Sequence, residues 1–222
     1  MTPEFIPFPK MARLAREVIV TEKIDGTNST VAIIEADGHP VPCAIADWTA
    51  EDGRNLVMLA GSRTQWITPQ KDNHGFARWV VEHAEELKGL GEGTHRGEWW
   101  GQGIQRNYGL KEKRWSLFNT MRWCRHDEEP QISTMSWDDK TRTMVPRYQE
   151  RAPACCHMVP VLWRGIFDTA MIEGQLTLLR ASGSVAAPGF AKPEGLVVFH
   201  IAGNVGFKKT LDGDDEPKSK ST

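Results

Sequence analysis

The sequence lacks a charge excess: 27 Lys and Arg stand against 29 Asp and Glu, a formal net charge of −2. No global basic field therefore draws the chain to nucleic acid, and any such contact must come from a local patch. Cysteine is scarce. Cys43, Cys124, Cys155 and Cys156 form no C-x-x-C pair, and the adjacent Cys155 and Cys156 cannot easily bridge each other. A disulfide framework and a thiolate zinc site are thereby excluded. The seven histidines, at 39, 74, 83, 95, 126, 157 and 200, show no H-x-x-x-H or H-x-H pairing. No G-x-x-x-x-G-K-[ST] is present, which rules out P-loop chemistry. The run Gly101 to Arg106 (GQGIQR) lacks the third glycine of a dinucleotide fingerprint. No stretch approaches the roughly 18 apolar residues of a membrane span, and the N-terminus (MTPEFIPFPK) lacks the apolar core of a secretory signal. The expectation is a soluble, cytoplasmic protein with free thiols and no membrane partner.

What is present is an ordinary globular mix, 40% hydrophobic and 25% charged over 222 residues. That length suits one large domain or one domain with a small appendage. Nine tryptophans are a high count, expected mostly in the core, with a minority free to stack on bases.

Periodicity and turn residues predict a short helix over 9–17, then a strand at 18–24 (VIVTEKI). The turn signal DGTN at 25–28 and a strand at 29–36 complete an expected hairpin. A further strand is expected at 41–47 and an amphipathic helix over 73–87, with Gly89 as its stop. Residues 94–100, 114–119 and 159–165 read as extended, and 167–181 as an amphipathic helix. A last hairpin, 194–200 with 205–210, turns at Ala202-Gly203-Asn204. The polar stretch 124–157 reads as a loop-rich insertion, and 211–222 as a charged tail. The sum is a strand-rich α+β chain of antiparallel sheets flanked by helices, with no linker dividing residues 1–210.

The chemistry centres on Lys23-Ile24-Asp25-Gly26. On a strand, Lys23 and Asp25 share a face, and Gly26 permits a sharp turn and close ligand approach. Four residues match by chance often enough to prove little. Context adds to them, because TEKIDGTN resembles the first motif of the covalent nucleotidyltransferase superfamily of DNA ligases, RNA ligases and capping enzymes. Five further motifs resemble that superfamily in its order: Gly61-Ser62-Arg63-Thr64, Arg96-Gly97-Glu98-Trp99-Trp100-Gly101, Arg114 to Asn119 (RWSLFN), Lys192 to Val198 (KPEGLVV), and Phe207-Lys208-Lys209-Thr210. The stretch GEWWGQGIQRNYG looks more like RNA ligases than DNA ligases. DNA ligases and capping enzymes also carry an OB-fold domain after the last motif, where this sequence ends within about a dozen residues, so an RNA ligase without an OB domain is expected.

The resemblance implies a nucleotidyltransferase domain with ATP in the groove between its sheets, and Lys23 as the nucleophile that takes AMP. The attacking amine must be neutral, a form that nearby cations favour: a divalent metal (Mg²⁺ or Mn²⁺), Arg63 and the last lysines. Asp25 suits either orienting the lysine or holding metal through water. Arg63 offers a planar fork for phosphate or ribose. Glu98 suits a ribose hydroxyl, Glu194 a metal-bound water, and Phe118 the adenine face. Lys208 and Lys209 offer point charges at the α-phosphate. The superfamily spaces these two as K-x-K, whereas here they are adjacent, and a regular strand turns only one inward. Lys208 is the expected one, with Lys209, or a bulge presenting both, as alternatives. The implied partner is RNA, or an RNA-containing duplex, with 5′-phosphate and 3′-hydroxyl ends. The rival readings are a GTP-using capping-type guanylyltransferase and a nucleotide- or RNA-binding module without turnover.

Overall fold

A computed structural model describes residues 4–8 and 11–212. The chain divides into two compact units, one formed by residues 1–23 and 160–222, the other by residues 24–159. The boundary falls between Lys23 and Ile24, inside the first motif.

In the first unit, four antiparallel strands lie in the order Val161–Ile166, Glu17–Lys23, Gly195–His200 and Val205–Thr210. Helix Thr169–Ser182 covers one face. Asp168 caps it, its carboxylate accepting from the N–H groups of Ala170 (2.7 Å) and Met171 (3.3 Å). Ile172, Leu176 and Leu179, at helical spacing, meet Val18, Val20, Leu196 and Val198 of the sheet. Full burial of each such side chain contributes roughly 1.5–3 kcal/mol.

The expected helix over 9–17 does not form within the described residues. Residues 9 and 10 lie outside them, residues 11–16 are irregular, and Glu17 already belongs to a strand. The sheet claims the end of this stretch: Phe167 N–H donates to the Arg16 carbonyl at 2.8 Å. Of the predicted tail, residues 213–222 lie outside the described residues.

The second unit is built on a sheet in the order His157–Met158, Lys113–Leu117, Gly93–Gly101, Thr27–Glu35, Asn55–Gly61 and Ala44–Thr49, with Trp66–Ile67 pairing Asn55–Gly61. Only the His157–Met158 edge is parallel to its neighbour. Helix Phe76–Glu82 and the short turns to Leu90 pack against it. Phe76 lies 5.4 Å from Trp99 and 5.5 Å from Trp115, centroid to centroid, forming the aromatic centre of the core. Of the nine tryptophans, Trp99, Trp100, Trp115 and Trp123 are buried and only Trp66 and Trp137 are exposed.

Strand Asn55–Gly61 was not expected, and two further expectations change. The strands on either side of DGTN do not form a hairpin, because Glu17–Lys23 pairs on both edges in one sheet while Thr27–Glu35 pairs on both edges in the other. Residues 124–157 are less irregular than their polarity implies: Ile132–Asp138 and Thr143–Tyr148 form an antiparallel hairpin around a turn that Asp138 caps through Lys140 N–H. Its period-two signal is carried by Met135, Trp137, Met144 and Tyr148, all exposed, so the hairpin reads as polar by average composition.

Glu22, one residue before Lys23, is 1% exposed and points into the helix side of its sheet. Its carboxylate accepts from Ser184 Oγ (2.6 Å), Val185 N–H (2.8 Å) and Ala186 N–H (2.9 Å). Burial outweighs these bonds and raises the carboxyl above its ordinary 4.5. Between 4.5 and the raised value the folded chain holds a proton that the unfolded chain has lost, so this group's stabilisation falls as pH rises through that window. Glu22→Gln should therefore flatten the loss of urea stability from acid to neutral pH relative to wild type. An undiminished loss would show that Glu22 is not its source.

Candidate active site

Lys23 is the last residue of its strand, and its Nζ donates to Glu194 Oε2 at 2.6 Å. Both side chains are mostly covered, at 24% and 16% exposure. Glu194 reaches this position because Gly195, opposite Lys23 in the ladder, has φ +155° and backs onto the Lys209 carbonyl, where a Cβ would collide.

The register separates the two adjacent lysines. Directly opposed residues share a face, and Lys208 opposes Val197, which opposes Thr21. Thr21 and Lys23 alternate by two, so Lys208 and Thr210 lie on the face of Lys23. Lys209 opposes Leu196 on the helix face, where its Nζ meets Glu173 Oε1 at 2.6 Å. The sheet is regular here, with no bulge that turns both lysines one way.

In the second unit, Asp25 and Gly26 lie in the turn before strand Thr27–Glu35, outside any ladder. Their amides are satisfied by side chains. Asp25 N–H donates to Tyr108 Oη (2.8 Å) and Gly26 N–H to Glu98 Oε1 (3.1 Å). Glu98, 7% exposed, also accepts from Asn28 Nδ2 at 2.8 Å. Arg106 Nε donates to Asp25 Oδ2 at 3.0 Å. A Cβ on Gly26 would stand 2.5 Å from the Trp99 carbonyl oxygen and 2.7 Å from Trp100 Cβ, so only glycine fits this approach. The loop bearing Arg106 and Tyr108 is strained, with Gln105, Asn107 and Tyr108 at φ of +43°, +59° and +50°.

Arg106 and Tyr108 carry no role in the sequence reading. Their signal was the run Arg106-Asn107-Tyr108, but nothing local shows that it folds back onto Asp25, 81 residues away in sequence. An Asp25 already paired with a cation is held rather than free.

Arg63 and Phe118 line a separate cavity of about 570 Å³ in the same unit, with Asn28, Thr30, Trp66 and Arg96 among its walls. Phe118 follows strand Lys113–Leu117 and is 41% exposed, so it is available as a stacking face rather than lost in the core. Asn28 touches both this cavity and Glu98.

The structure thus brings Lys23, Glu194 and the Lys208 face together in one unit, and Asp25, Gly26 and Glu98 together in the other. Lys209 stands apart from its neighbour. Among the described residues no three His, Cys, Asp or Glu side chains gather as a ready-made metal cage.

Mixed sheets with few helices, and a lysine ending one strand against a glutamate just before another, are consistent with a nucleotidyltransferase-like α+β fold. The family model described as RNA ligase matches residues 16–209, and the chain belongs to that family. Two solved structures of mutants of the Naegleria gruberi RNA ligase, one with ATP and Mn and one with AMP and Mn, are each 18% identical with a TM-score of 0.50. They cover 95% and 94% of this chain, which spans 58% and 57% of theirs. At that identity they show the fold alone. No curated protein matches the sequence significantly.

Gly26→Ala should cost about 1–3 kcal/mol in chemical denaturation, the range for forcing extra volume into a packed site. Gly174→Ala, on the open side of helix Thr169–Ser182, should instead gain roughly 0.5–1 kcal/mol. Equal effects of the two would show that the turn at Gly26 has room to spare.

Proposed function

We propose that the protein is an ATP-dependent RNA ligase that works through a covalent lysyl-AMP intermediate. The observation that carries the proposal is Lys23, held at a strand end by Glu194 on the face that also bears Lys208, within a chain of the RNA ligase family.

In the first step the Lys23 amine attacks the α-phosphorus of ATP. An N–P bond forms, the bond to the bridging oxygen breaks, and pyrophosphate leaves. The amine must shed its proton, and Glu194 lies within hydrogen-bond reach as the acceptor. Lys208 supplies positive charge where phosphate oxygens gain negative charge. Such transfers depend on positioning and electrostatics more than on protein covalent chemistry. In the second unit, Phe118 offers the adenine a stacking face and Arg63 a fork for phosphate or ribose, while Glu98, the expected ribose partner, lies next to that cavity through Asn28. Asp25 acts through Arg106 and Tyr108, fixing the turn that follows the nucleophile.

Mg²⁺ or Mn²⁺ would neutralise charge on the triphosphate. One or two carboxylates with phosphate oxygens suffice for such an ion, so Glu194 would serve it through water without a protein cage, while Asp25 stays paired with Arg106. The Naegleria gruberi structures with ATP and Mn support the same pairing of nucleotide and metal.

In the next step a strand's 5′-phosphate attacks the lysyl-bound AMP, the N–P bond breaks and Lys23 is released. A 3′-hydroxyl then attacks the adenylylated phosphate, forming the phosphodiester and expelling AMP.

Incubation with ATP and Mg²⁺ should add one AMP to the intact mass of the wild type and none to Lys23→Ala. No adduct on wild type, or an equal adduct on the variant, overturns the mechanism. GTP should label far less than ATP in competition.

A further inference from the structure

The cavity that holds Arg63 and Phe118 has features that the ATP reaction leaves unused. Its only charged lining residues are Arg63 and Arg96, and no carboxylate faces it. In a chain of net charge −2 this is a local positive basin. Several other arginines of the same unit are neutralised: Arg54, Arg78, Arg106 and Arg114 each meet a carboxylate. Among the described residues the guanidinium groups of Arg63 and Arg96 have no hydrogen-bond or ion-pair partner. Two uncompensated guanidinium groups in one concavity call for an anion.

The walls also set the ligand's shape. Trp66 is 46% exposed, and its ring stands against Gly61, where a Cβ would come within 3.2 Å of two ring carbons. Gly61 opposes Thr30, and Thr30 opposes Arg96. Trp66 in turn opposes Gly61, so the indole, the threonine and the arginine lie along one line across four neighbouring strands. Arg96 is anchored by its own carbonyl, which accepts from Phe118 N–H at 3.0 Å. The cavity therefore offers two exposed aromatic faces, while adenine needs one.

We propose that Trp66 and Arg96 form a subsite for the terminal nucleotide of an RNA strand, the base stacking on Trp66 and the phosphate meeting Arg96. This rests on the ligase reading only for the identity of the strand; the charge and the aromatic faces stand without it. Base stacking on an exposed aromatic and one phosphate contact are the two elements of single-strand binding. The subsite supplies the local patch that a chain without net positive charge requires.

The test is fluorescence anisotropy of a short, labelled, 5′-phosphorylated RNA with the full-length protein, alongside the ATP adduct assay on the same preparations. Trp66→Ala should weaken RNA binding about tenfold. Arg96→Ala should weaken it too and flatten the log–log salt slope by about 0.7, one phosphate contact on a single strand. Arg96→Lys should restore most of that slope. An unfolding midpoint for each variant, with Trp66→Phe as the conservative replacement, separates lost contact from lost fold. RNA affinity and salt slope unmoved in well-folded variants would overturn the proposal. So would a loss of ATP adduct in step with RNA affinity, which would assign Trp66 and Arg96 to the free nucleotide. A wild type that binds RNA through Arg96 yet forms no adduct would overturn the lysyl-AMP mechanism and leave this subsite standing.

Discussion

A chain that leaves one sheet and enters another within three residues must find partners for the amides in between. At Asp25 and Gly26 neither sheet's ladder provides them. The Tyr108 hydroxyl takes one amide and the Glu98 carboxylate takes the other. An unpaired buried amide costs about as much as a lost hydrogen bond, so the crossing tolerates little variation in either side chain. Much of the second unit's local architecture serves this demand. Strand Gly93–Gly101 presents Glu98, the strained loop after it brings Tyr108 and Arg106 back, and the absent side chain of Gly26 lets the backbone close against Trp99 and Trp100.

The first unit meets a different constraint, the burial of polar groups in a strand that faces core on one side and chemistry on the other. Glu22 and Lys23 are consecutive and so point oppositely. Glu22 is sealed under the loop that follows the helix, and Lys23 is turned to Glu194. Each charge has a dedicated partner, and the alternation of the pleat keeps the two from competing.

Most of the longer strands, the two longer helices and the final hairpin were legible in the sequence because their periodicity and turn residues agree with their environment; strand Asn55–Gly61 was not expected. The motif residues were legible as an ordered set, and Lys23 with Glu194, or Gly26 with Glu98, do meet in space. Three further things were hidden. The hairpin expected across DGTN failed because pairing partners 140 or more residues away outcompeted the local one, and no local signal reports them. The partnership of Asp25 with Arg106 is likewise long-range. The strands at 132–138 and 143–148 were masked because polar residues alternate with the apolar ones and lower the average hydropathy to that of a loop.

The adjacent lysines of strand Val205–Thr210 have a consequence for how this edge withstands error. A K-x-K arrangement commits both cations to one face, and a slip of one residue in the preceding turn would turn both away together. With Lys208 and Lys209 side by side, the same slip exchanges their places: one cation still faces the side of Lys23, and one still faces the helix that carries Glu173. The doublet gives up a second charge on the Lys23 face and gains redundancy. The edge strand can then accumulate insertions or deletions in its turn while keeping the same pattern of positive charge on both surfaces.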